Sequence, residues 1–211
     1  MSADEQVLCV KSRLVDGILD ADAALDEKLE TLLSCKTYRN RKTPNDDGPC
    51  AEEDERYRQL IPYIAVFDER GQILAYNRGD KGGENRLRGR WAIGFGGHVN
   101  SDDNGWLGGI VRELREELGI TEPIGLTGAT PRDGEWIPLQ GPLGFLRDDS
   151  NAVGRCHLGV LYSITASKVI PREGVEWTWS SVGLIERLAE KNPDKLETWS
   201  RMALEQLKGG A

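Results

Sequence analysis

The sequence predicts an α/β fold with a mixed sheet packed between helices. Three observations carry this. Short apolar segments of strand character are interspersed with amphipathic helical ones along most of the chain, and such mixtures bury their apolar faces as layers. Residues 153–164 form a long apolar run, fit for a central strand. Residues 107–118 carry one apolar stripe and one charged face, fit for a helix lying on that sheet.

Each element follows in order. Val7-Leu8-Cys9-Val10 reads as a short strand. Residues 21–33 have helical composition, with Leu25, Leu29, Leu32 and Leu33 near helical spacing. Residues 36–55 are polar, contain Pro44, Gly48 and Pro49, and read as a long loop. Residues 1–55 are therefore expected as an N-terminal extension packed on the main body, with 56–211 as the principal domain. Residues 61–67 and 72–76 read as strands joined by the turn Asp68-Glu69-Arg70-Gly71. Residues 91–95 form another strand that runs into Gly96 and Gly97. Further strands are expected at 124–127 and 143–146. Glu176-Trp177-Thr178-Trp179 precedes a helix over 181–190. Asp194-Lys195-Leu196-Glu197 has the form of a capping box opening a final helix.

The helix over 107–118 is the most informative segment. Leu107, Ile110, Val111, Leu114 and Leu118 share one stripe. Glu113, Glu116 and Glu117 lie on the other side, at offsets of three and four. Like charges so crowded favour a cation among them, and hard divalent ions take carboxylate oxygens. A solvated outer face is the plain alternative. Arg112 lies one turn before Glu116 and is expected to pair with it. Gly119 follows the last periodic residue, as a helix stop should. Gly108 and Gly109 each cost about 1 kcal/mol of helix propensity against alanine. Gly109 lies on the charged side, so either ligand room or close packing accounts for it. Asp102, Asp103 and Asn104 are candidates to cap the helix.

The order of strand, glycine loop and acidic helix resembles the Nudix hydrolase signature G-x(5)-E-x(7)-R-E-U-x-E-E-x-G-U, where U is aliphatic. Gly97 matches its opening glycine, and Arg112, Glu113, Leu114, Glu116, Glu117, Gly119 and Ile120 match its second half. The loop between is one residue longer. The first acid of the motif falls on Asp103 counted from Gly97, and on Asn104 counted back from Arg112. Segments 57–66, 84–87, 96–100, 154–159 and 197–200 are similar to the predicted-phosphoesterase branch of that superfamily. The resemblance thus covers most of residues 56–200.

The resemblance implies an α/β/α sandwich and metal-assisted hydrolysis of a phosphoanhydride bond in a nucleoside diphosphate-linked or related small molecule. It implies Mg²⁺ or Mn²⁺ on Glu116 and Glu117, with Glu113 and the Gly97 carbonyl as further ligands. Arg112 would orient a glutamate. The general base would be a box glutamate or one on a distant loop, where Glu173 and Glu176 sit. Two other outcomes fit the same fold: a catalytically inactive nucleotide-binding or regulatory protein, motivated by the altered loop, and an isomerase. The intact Arg-Glu-x-x-Glu-Glu cluster favours hydrolysis.

Other residues carry two readings each. Arg86, Arg88 and Arg90 alternate, so an extended segment would point all three one way. They would bind substrate phosphates or guard a sheet edge. His98 would contact a phosphate or make a structural hydrogen bond, and His157 reads as a satisfied core residue. Trp177 and Trp179 would stack a base or pack in a core or interface.

Composition narrows the partners. With 27 Lys plus Arg against 35 Asp plus Glu, the net charge is −8. That disfavours a stable nucleic-acid complex or an anionic membrane. It does not oppose a small phosphorylated nucleotide, since a bound cation inverts the local field. Four cysteines without Cys-x-x-Cys spacing and only two histidines argue against zinc and for reduced thiols in the cytoplasm. No signal peptide and no bilayer-spanning segment is apparent. Tryptophans at the surface and the N-terminal part leave room for a homodimer.

Overall fold

The computed structural model describes residues 5–77, 89–126, 136–166, 168–171 and 175–209. In chain order the elements are β1 (Gln6–Lys11), α1 (Ser12–Leu19), α2 (Leu25–Ser34), β2 (Thr37–Asn40), β3 (Tyr57–Phe67), β4 (Ile73–Asn77), β5 (Trp91–Ala92), β6 (Gly94–Phe95), α3 (Gly105–Leu118), β7 (Ile124–Leu126), β8 (Ile137–Leu146), α4 (Ala152–Arg155), β9 (His157–Thr165), β10 (Trp177–Ser180), α5 (Val182–Lys191) and α6 (Thr198–Gly209).

β3 is the axis. Ten of its eleven residues are buried, because both faces are covered, and so it reads as a near-continuous apolar run. It pairs in parallel with β9 from Gln59↔His157 to Phe67↔Thr165. The principal strand order is β10-β4-β3-β9-β8-β7, with β6 added to β3, β5 to β4, and β1 bridging β2 and β3. β7 and β8 are parallel and the remaining pairs are antiparallel. The sheet is mixed, as expected.

Alternation along β3 feeds two cores. Ile64 and Val66 pack with Ile110, Leu114 and Leu118 of α3 and with Leu29 of α2. Tyr63 and Ala65 pack on the other face with Ile185 of α5 and Ala203 and Leu204 of α6. A third cluster joins Leu8 and Val10 of β1, Val15 of α1 and Leu32 of α2 to Leu60 and Leu158. The result is the α/β/α sandwich.

Several local expectations change. A separate helix, α1, precedes α2, which starts only at Leu25. The polar stretch 36–55 is not an unstructured loop. It opens with β2, and its charges are internally paired. Arg39, only 6% exposed, binds Asp47 at 2.8 Å and Asp54 at 2.9 Å. The strand at 91–95 splits, since Ile93 N donates to Ser200 Oγ at 3.2 Å rather than to a neighbouring strand. The run 153–164 begins as α4, capped by the Asn151 side chain accepting from Gly154 N at 3.0 Å. Trp177–Ser180 form an edge strand on β4. The acids at 194–197 open no helix. Residues Pro193–Lys195 make a 3₁₀ turn, and α6 starts at Thr198. Buried Leu196 and the bond from Glu197 N to Trp91 O, at 3.0 Å, hold the segment extended in between.

Candidate active site

The site begins where β6 leaves the sheet. At Gly96 (φ +149°) a Cβ would stand 1.9 Å from the Pro62 carbonyl oxygen, so only glycine lets the chain pass β3 this closely. At Gly97 a Cβ would meet the Glu113 carboxylate at 2.6 to 2.7 Å. The opening glycine and the first glutamate of the helix are therefore in direct contact, sixteen residues apart. α3 stops as expected, with Gly119 left-handed at φ 64° and its N–H bonded to Arg115 O and Leu114 O.

Arg112 organises what lies between. Its Nε donates to Asp103 Oδ1 at 2.7 Å and its Nη2 to Asp103 Oδ2 at 2.9 Å, a two-pronged clamp. Nη2 also donates to the His98 carbonyl at 2.6 Å. Nη1 donates to Glu113 Oε1 at 2.7 Å and reaches Glu116 Oε2 only at 3.5 Å. The expected pairing with Glu116 is thus the longest of the set, and Asp103 and Glu113 are the principal partners. Asp103 resolves the longer loop: the shorter acid supplies the carboxylate. Its Oδ2 also accepts from Asn100 N at 2.7 Å. No acid caps the helix, since the Asn104 side chain at the N-cap makes no cap bond. Gly109 is explained by close packing, because a Cβ there would lie 2.7 Å from Val99 Cγ2.

The electrostatics are uneven. Burial works to raise the Asp103 carboxyl, yet the Arg112 bonds and the Asn100 N–H outweigh it and hold Asp103 below its usual value. Glu113 goes the other way. Burial pushes it up, Arg112 opposes this, and the charges of Glu116 and Glu117 push it up further. The Glu113 side chain is 12% exposed and Glu116 is 52% exposed.

The donor set consists of carboxylate oxygens beside a backbone turn, which suits a hard divalent cation. Among the described residues no three His, Cys, Asp or Glu side chains already converge enough to grip an ion. Mg²⁺ keeps several waters and needs only one or two carboxylates, and the exposed Glu116 is free to turn inward. Glu113, Glu116 and Glu117 therefore fit such an ion in kind.

Gly97 also belongs to a second feature. A cleft enclosing about 150 Å³ is bounded by the glycines of β6 and the turn after it, by His98, by His157, and by Glu197, Thr198 and Trp199 at the start of α6. The His98 ring is half-buried and lies 5.8 Å from that of His157. Burial, followed by the charge of Arg41, holds the His98 imidazole well below its usual value. His157 Nδ1 is 2.6 Å from Val153 O. It is half-buried and lines the cleft, so core satisfaction is only part of its role. Reading by residue type missed Asp148, Glu197 and Trp199 here. The signal was present, because segments 154–159 and 197–200 carry the outer resemblance and both line this cleft.

Arg86, Arg88 and Glu173 lie outside the described residues. Glu176 is at the surface, accepting from Asn77 Nδ2 at 3.2 Å. Trp179 packs against the first core, and Trp177 is 42% exposed on the edge strand. All four cysteines are free. Burial pushes the Cys9 thiol up to about 12 and Cys156 up to about 11, so both are inert at neutral pH. No described helix is long and apolar enough to cross a membrane.

The comparisons with known proteins agree with this arrangement. The family model described as NUDIX domain matches residues 58–208. The chain is 32% identical over 166 residues to protein YmaB of Bacillus subtilis (strain 168), covering 74% of this chain and 73% of that one. Among solved structures, it is similar to Tm1382, with TM-score 0.69, 21% identity, and coverage of 98% of this chain and 100% of that one. It is also similar to DR0079 from Deinococcus radiodurans, with TM-score 0.54, 14% identity, and coverage of 97% and 98%. At those identities the two structures speak to the fold. The matched domain and the Gly97–Glu113–Arg112–Asp103 arrangement together make this chain a member of the Nudix family, an enzyme of the pyrophosphohydrolase kind.

Proposed function

We propose that the chain is a metal-dependent hydrolase of a phosphoanhydride bond in a nucleoside diphosphate-linked or related small molecule. One observation carries this reading. Arg112, itself locked by Asp103, holds Glu113 against Gly97 beside two further glutamates. Glu113, Glu116, Glu117 and the Gly97 carbonyl would hold Mg²⁺ or Mn²⁺, which would neutralise phosphate oxygens and polarise water.

The chain's own residues supply positioning, which is most of what phosphoryl chemistry asks of a protein. Asp103 fixes the guanidinium of Arg112, and the guanidinium fixes one oxygen of Glu113. Charge crowding raises the affinity of Glu113 for a proton, which suits it to accept one from the attacking water. The alternative of an inactive binder loses its motive, since Asp103 restores the clamp that the altered loop put in question. Four free thiols support a cytoplasmic setting. A homodimer and the lack of a stable nucleic-acid complex remain part of the proposal, supported by exposed Trp177 and the net charge of −8.

The test is phosphate release from a panel of nucleotide sugars, dinucleotides and nucleoside triphosphates, with Mg²⁺ or Mn²⁺. Turnover of at least one diphosphate-linked compound is expected, lost on chelation. Full activity in both Glu116→Gln and Glu117→Gln would show that the ligands are misassigned.

A further inference from the structure

The cleft on the α6 side of Gly97 has a character unlike that of a phosphate site. Its described wall contains no lysine or arginine. Two carboxylates, Asp148 and Glu197, line it instead. Asp148 is committed to its own turn, accepting from Ser150 N at 3.0 Å and Ser150 Oγ at 2.5 Å. His98 lines the cleft too, and its Nε2 is shielded from solvent with no hydrogen-bond partner among the described residues. A buried polar nitrogen left alone is costly and uncommon, so the group that satisfies it is the missing occupant. The other wall is the first turn of α6, a twelve-residue helix whose opening N–H groups are donors. Trp199 adds a flat apolar surface, set edge-on to Tyr63 at 5.8 Å.

Size limits the occupant further. A cavity of about 150 Å³ accepts a benzene-sized ring, whereas a whole ligand of drug size needs roughly 300 Å³ or more. The cleft holds one single ring and no more. Acidic walls exclude a phosphate. Donors on one wall and acceptors on the other suit a group that does both, with an apolar face for Trp199. Hydroxyls on a saturated ring do this.

We infer that this cleft, reached past Gly97 from the glutamates, is the subsite for one hydroxylated sugar ring of the substrate, the ring attached directly to the diphosphate. This rests on the proposed hydrolase reading, since the glutamates then hold the diphosphate. The substrate class becomes a sugar-bearing diphosphate rather than a nucleoside triphosphate selected by its base.

The experiment uses two probes with Mg²⁺, ADP-ribose and inorganic pyrophosphate, and reads dissociation constants by calorimetry. In Thr198→Trp, which fills the cleft, and in His98→Ala, which removes the lone acceptor, affinity for ADP-ribose should fall at least tenfold more than affinity for pyrophosphate. His98→Ala keeps the measurement available if the larger side chain impairs folding. A crystal soaked in ADP-ribose should place a ribose between His98 and Trp199. Equal losses for both probes, or a phosphate or base in the cleft, would overturn the subsite while leaving the hydrolase reading in place. Failure of both probes to bind the unmodified chain would overturn the two together.

Discussion

Two arginine–carboxylate clusters in this molecule look alike in sequence and differ in kind. Around β2, Arg39 and Arg56 meet Asp47 and Asp54, with Arg39–Asp47 at 2.8 Å, Arg39–Asp54 at 2.9 Å and Arg56–Asp54 at 2.7 Å. Two cations face two anions, and Arg39 also covers the Tyr57 ring at 3.9 Å. Both acids are held below their usual values, chiefly by hydrogen bonds from Arg56 to Asp54 and from Arg39 to Asp47. Around α3, the single Arg112 serves Asp103, Glu113 and Glu116. There Glu113 is raised, not lowered. A balanced cluster satisfies itself and serves the fold. A cluster short of positive charge is stable only as far as a ligand completes it, which is why the functional site is sought there.

The largest expected effect lies in the unbalanced cluster. Glu116→Gln or Glu117→Gln should lower turnover by about 10³-fold, the scale of losing several kcal/mol of metal-borne stabilisation. The melting temperature without metal should barely move. Steady-state kinetics and a thermal melt of each variant check this, and a large drop in melting temperature would make the cluster structural like its counterpart.

The balanced cluster should answer in the opposite way. Asp54→Ala strands buried Arg39 and should cost about 3 kcal/mol of stability, read by urea unfolding. Turnover per folded molecule should hold, since these residues lie apart from the Gly97–Glu113 contact. A loss of turnover without a loss of stability would erase the distinction.

Asp103→Asn sharpens the comparison from inside the site. It removes the anionic half of the clamp on Arg112 and should reduce kcat by about 10- to 100-fold, as orienting partners of ligands usually do. Gly97→Ala should act on the same contact, because its methyl would displace the Glu113 carboxylate. For both, the affinity for pyrophosphate should change less than kcat.

The smallest effect is a pH dependence. The folded Asp54 carboxyl sits below its unfolded value of about 3.9. Its stabilisation is present above that pH and is lost as pH falls through the folded value. The stability gap between the unmodified chain and Asp54→Asn, measured in urea, should therefore be wide at pH 6 and narrow towards pH 3. A gap independent of pH would show that the charge of Asp54 is not what the cluster uses.

Much of the fold was legible because its signals are local. Apolar runs gave β3, β4, β9 and α3, and the stripe of Ile110, Leu114 and Leu118 is the face that packs. The stretch 36–55 was misread because its polar composition looks the same whether charges face water or one another. α1 was missed at eight residues, with Gly17 lowering its helical signal. β10 was missed because its pairing depends on β4, about a hundred residues away.

The sequence alone determined which residue types gather on α3, since helical spacing puts Glu113, Glu116 and Glu117 on one side whatever surrounds them. It also determined that Gly97 and Gly119 bound the motif. Only the tertiary structure decided that Asp103, not Glu116, is the chief partner of Arg112, because that depends on how the loop of β6 folds back over the helix. Only it joined segments 96–100, 154–159 and 197–200 around one cleft. Spacing along a helix is fixed by local geometry, whereas a wall built from distant segments exists only after the sheet has closed.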